Sequence, residues 1–87
     1  MKKGTLVQIQ PVKQIAILVE DVEHHASSVL ALHMTREHPR PMLLRLDIEN
    51  GLLYFSNDRG RFLQDGHDFE PELIQLKRMV TYAKVQR

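Results

Sequence analysis

The stretch Met42-Leu43-Leu44-Arg45-Leu46-Asp47-Ile48-Glu49-Asn50-Gly51-Leu52-Leu53-Tyr54-Phe55-Ser56 decides how the chain is to be read. Leu44, Leu46 and Ile48 alternate with Arg45, Asp47 and Glu49, the period-two pattern of a strand with one wet face. Asn50-Gly51 follows directly, and a type I′ turn needs positive φ at both of its central residues, which this pair tolerates best. Counting outward from the turn sets Glu49 against Leu52, Ile48 against Leu53 and Leu46 against Phe55. One face of the hairpin then carries Leu44, Leu46, Ile48, Leu53 and Phe55. The other carries Arg45, Asp47, Glu49, Leu52, Tyr54 and Ser56.

Upstream, Thr5 to Gln10 alternates in the same way until Pro11, which cannot donate to a sheet ladder. Lys13 to Glu20 contains Ile15-Ala16-Ile17-Leu18-Val19, apolar on both faces as a covered strand is. A turn around Pro11-Val12 joins the two as a first hairpin. Asp21 then reads as a helix N-cap with Glu23 in the first turn. Val22, Ala26, Val29, Leu30 and His33 recur at spacings of three and four, and Pro39 and Pro41 close the segment. This pattern predicts a helix over 22–37.

Downstream, 57–69 is polar and contains Gly60 and Gly66, with room for a short strand around Arg61-Phe62-Leu63. Pro71 suits the first turn of a helix, with Glu70 and Glu72 at its positive end and Lys84 and Arg87 at its negative end. Leu73, Leu76, Met79, Val80 and Ala83 form its inward stripe. The expected order is β-β-α-β-β-(β)-α. That is an α+β fold in which an antiparallel sheet of four or five strands carries two helices on one face, as a single domain over 1–87.

Composition bounds the function classes. The 87 residues are 43% hydrophobic and 26% charged, as in ordinary globular domains. So short a chain builds only a marginal core, which favours burying further apolar surface by self-association. Lys and Arg number 12 against 11 Asp and Glu, a net charge of +1, so overall charge announces no nucleic-acid partner. The lack of cysteine excludes disulfides, thiol catalysis and cysteine-ligated zinc or iron–sulfur clusters. The run Ile15 to Val19 is far short of the roughly 18 apolar residues a membrane helix needs. No apolar block follows Lys2-Lys3 as in a signal peptide. A cytoplasmic protein with no membrane partner is therefore expected.

No pattern with chemical specificity emerges. Gly4, Gly51, Gly60 and Gly66 are too scattered for a nucleotide-binding loop. No two histidines stand four apart, and His24 and His25, being adjacent, point apart on a helix, so no metal ligands are assigned. Asp65, His67 and Asp68 resemble a hard-cation cluster and Arg59 and Arg61 a phosphate contact, but neither spacing is diagnostic and a solvated connection explains both. Ser27, Ser28 and the carboxylate pairs have no positioned partner, so no catalytic residue and no cofactor is expected, and the protein is read as non-enzymatic.

Two binding readings follow. Leu52 and Tyr54 lie on the outer hairpin face, while Ile74 and Val85 lie beside Arg78 away from the helix stripe. Surplus apolar side chains on a small domain point to a protein contact. The leading expectation is thus a small accessory or regulatory module acting through protein–protein binding, as a homodimer or with another chain, through Leu52, Tyr54, Ile74, Arg78 and Val85. The alternative is nucleic-acid binding by the basic last helix and the adjoining loop, through Arg59, Arg61, Lys77 and Lys84. Tyr54 is the one aromatic expected on the outer face of the sheet, which is sparse for stacking bases.

Overall fold

The computed structural model describes residues 1–64 and 68–85, with side chains up to Thr81 in the last helix. Its elements are β1 (Leu6–Gln10), β2 (Gln14–Leu18), β3 (Ser28–His33), β4 (Met42–Glu49), β5 (Leu52–Phe55), β6 (Arg61–Phe62) and α1 (Glu70–Val85). From β1 to β5 each strand pairs antiparallel with the next. β5 then returns to β1 through the parallel pairs Ile9–Leu53 and Gln10–Tyr54. The result is a closed five-stranded barrel with, among the described residues, one helix. With an odd number of up-and-down strands the first and last run the same way, so the closing seam has to be parallel.

The β4–β5 hairpin has the register read from its turn: Glu49 faces Leu52, Ile48 faces Leu53 and Leu46 faces Phe55. Asn50 and Gly51 have φ of 54° and 79°, as a type I′ turn requires. The first hairpin and the short strand at Arg61–Phe62 also stand where the sequence placed them.

The α+β arrangement with two helices on one sheet face does not. Residues 22–37 are not helical: β3 runs through the middle of them, pairing Ile17 with Leu32 on one side and Val29 with Leu46 on the other. Val29 and Ala31 face the barrel interior, while Leu30 and Leu32 face outward. An apolar run that satisfies helical spacing also satisfies a strand covered on both faces, and two flanking strands here pair with its backbone. Asp21 caps no helix; its Oδ1 accepts from the Lys3 amide at 2.8 Å.

Two cores result. The interior holds Ile9, Ala16, Leu18, Val29, Ala31, Leu44, Leu46 and Leu53; the alanines suit the narrow bore of a barrel with so few strands. Outside, Ile17, Val19, Leu32 and Leu43 are covered by Leu73 and Leu76 of α1. The helix lies on β2 and β3, so among the described elements it is that side of the barrel that has an outer layer. Of the inward stripe expected for α1, Leu73, Leu76 and Val80 pack on this outer core, whereas Met79 is half-buried without joining it; the side chain of Ala83 falls outside the described residues.

β5 and β6 form one wall interrupted by a bulge. Continuing the β5 register would set Met42 opposite Arg59; it faces Phe62 instead. Asp58 organises the extra residues, accepting from the Arg45 amide through Oδ2 and from the Gly60 amide through Oδ1, both at 3.2 Å. Ser56 Oγ donates to the Arg45 carbonyl at 2.9 Å and accepts from the Asp58 amide at 3.0 Å.

Candidate functional site

The alternation of strand direction sorts the connections between two barrel ends. Residues 11–13, 34–41 and 56–60 lie at one end, and 19–27 and 50–51 at the other. The first end carries Lys13, Arg36, Arg40, Arg59 and Arg61, all exposed, against Glu37 and Asp58. The opposite end carries Glu20, Asp21, Glu23 and Glu49 against Lys2 and Lys3. A nearly neutral chain is thus polarised along its barrel axis, and such a field attracts an anionic partner to one end.

The basic end is also aromatic. Phe55 and Phe62 are 41% and 44% exposed. By register Phe55 shares the face of Leu46, but it is the last residue of β5, where the chain leaves the barrel for the bulge. It is not the core residue its alternation implies. Phe62 stands beside Met42 on β6, with the Arg40 guanidinium 3.8 Å from its ring centroid, a cation–π contact. Across the opening, the His33 ring meets Phe55 edge to face at 5.2 Å. His33 Nε2 lies 2.8 Å from Gln14 Oε1. Partial burial removes solvent from the imidazole and lowers its pKa below the ordinary 6.5, so it is neutral at pH 7.

A groove leads away from this end between the β3–β4 connection and α1. Met34, Thr35, Arg36, Glu37 and Val80 line two adjoining depressions. One is about 510 Å³ and continues to Pro39, Lys77 and Thr81; the other, about 240 Å³, continues to Lys13, Gln14 and Ile15. Its lining combines the apolar Ile15, Met34 and Val80 with the cations Lys13, Arg36 and Lys77.

Of the residues read as a nucleic-acid contact, Arg59 and Arg61 lie at the basic end and Lys77 on the groove. Lys84 belongs to α1, with a side chain outside the described residues. The protein-contact residues are not gathered together. Leu52 and Tyr54 lie on β5, flanked by β1 and β4, whereas Ile74 and Arg78 lie on α1 over β2 and β3; the side chain of Val85 is outside the described residues. Leu52 is 47% and Ile74 45% exposed. Asp65 and His67 also fall outside the described residues, and among those described no three metal-ligating side chains converge.

Sequence reading missed Lys13, Gln14, His33, Arg36, Arg40, Phe55 and Phe62 as one cluster. Reading 28–33 as a strand would have found it, since that assignment alone sends the turns at 11–13, 34–41 and 56–60 to the same end. No described helix is long and apolar enough to cross a membrane. No protein-family profile, curated protein or solved structure matches the chain.

Proposed function

We propose that this protein binds single-stranded nucleic acid, without catalysis, at the basic end of its barrel. The observation that carries the reading is the exposure of Phe55 and Phe62 among Lys13, Arg36, Arg40, Arg59 and Arg61. Unpaired bases stack on aromatic faces for about 1–3 kcal/mol each, and surrounding cations follow the phosphates. The groove toward Lys77 extends the same basic track. The setting that goes with this reading is the cytoplasm.

Fluorescence anisotropy with labelled oligonucleotides of about 12 residues tests it. Affinity should fall with salt at a log–log slope of about −2 to −3.5, the range for three to five phosphates neutralised on a single strand. Phe55→Ala with Phe62→Ala should weaken binding at every salt concentration without changing that slope. Arg59→Ala with Arg61→Ala should flatten it. A wild-type protein that binds no strand at low salt would remove the reading.

Exposed Leu52 and Ile74 favour a second reading, contact with another protein, a second copy of this chain included. Because the Leu52/Tyr54 and Ile74/Arg78 patches lie on different sides, joining one to the other makes a head-to-tail contact rather than a two-fold dimer. Sedimentation equilibrium checks this: mass should rise with concentration, and Leu52→Asp or Ile74→Asp alone should abolish the rise.

A further inference from the structure

We propose that Gln14 and His33 form a base-reading pair in the mouth of the barrel, so that the strand is bound with a preference for particular bases. The inference rests on the nucleic-acid reading above and adds selectivity to it. Gln14 Oε1 has no hydrogen to give, so the 2.8 Å contact makes His33 Nε2 the donor. Nδ1 of the neutral ring is then an acceptor, and the Gln14 amide keeps both of its N–H donors. Among the described residues neither group meets another hydrogen-bond partner.

His33 stands between Ala16 and Met42 in the sheet, Gln14 stands opposite Ile9, and Phe55 closes the other side. A half-buried pair with a spare acceptor and spare donors is best matched by a ligand that carries a donor and an acceptor side by side. The hydrogen-bonding edge of a nucleobase has that arrangement. Phe55, in contact with His33, gives the same base a face to stack on, and the turn residue Lys13 beside Gln14 gives its phosphate a cation.

Affinities for oligo-dA, oligo-dC and oligo-dT of equal length test the pair directly. The wild type should prefer one of the three by about tenfold, the range for a matched pair of base contacts. Gln14→Leu and His33→Phe keep a side chain of similar shape and remove the hydrogen bonds. Each should bring the three affinities within about twofold while leaving the salt slope unchanged, because phosphate contacts carry no base information. Matching thermal unfolding curves, or failing that a preference lost in Gln14→Ala, shows that the lost selectivity is not lost folding. Equal wild-type affinity for the three strands, or a preference that survives in both variants, overturns base reading and leaves strand binding standing. Absence of binding to any strand overturns both.

Discussion

At Gly60 the backbone runs at φ +72°, and a Cβ built there would lie 2.8 Å from Leu44 Cβ and 2.9 Å from the Leu43 carbonyl oxygen. Both obstacles belong to a buried strand, so neither can retreat. Gly60→Ala should cost about 2–4 kcal/mol in urea unfolding, combining overpacking with an unfavourable dihedral; a loss under about 0.5 kcal/mol would contradict the close approach. Both carboxylate oxygens of Asp58 are engaged by the backbone of this same bulge. His33 makes a second residue-scale prediction. Its folded pKa lies below the unfolded value of about 6.5, so the unfolded chain takes up the proton first. Stability present above pH 6.5 is therefore lost as pH falls toward the folded pKa. Melting temperature should drop between pH 7 and pH 5, and the drop should shrink in His33→Phe.

Among the elements, the β4–β5 hairpin was legible because its turn and alternation are local: Asn50-Gly51 sets the register and the register sets the faces. Only Phe55 escaped, since the position where a strand leaves its barrel is not local information. β3 was illegible for a related reason. Val29, Leu30 and His33 fit a helix stripe, while the run Val29 to Leu32 fits a doubly covered strand as well, and the partners that decide between them lie on β2, β4 and α1. The helix α1 in turn is held by few residues, with Leu76 wholly buried at the centre of the outer core. Leu76→Ala should destabilise the protein by about 2–5 kcal/mol, as large buried leucines do. It should also bare Ile17 and Leu32, detectable as increased binding of an apolar dye. Retained stability with no added dye binding would show that α1 does not support the barrel.

For the whole molecule, the decisive property is how charge is distributed over the two barrel ends. Net charge of +1 conceals a basic, aromatic end and an acidic one, and a strand in solution meets local potential rather than the sum. Charge reversal should therefore act by place. Lys13→Glu with Arg36→Glu should lower single-strand affinity at least about tenfold at low salt. Lys2→Glu with Lys3→Glu, an equal change in net charge at the opposite end, should alter it by less than about threefold. Equal losses from the two pairs would mean that only total charge matters.

What the amino-acid sequence determined by itself was whatever depends on near neighbours: the Asn50-Gly51 turn, the pairing it imposes, the Pro11 break and the stripe of α1. Tertiary structure alone decided that 28–33 is a strand, that the sheet closes on itself, and that distant turns share one end. Dihedral preferences and side-chain periodicity act within a few residues. Barrel closure depends on Ile9 meeting Leu53, a contact between residues far apart in the chain that no local periodicity encodes.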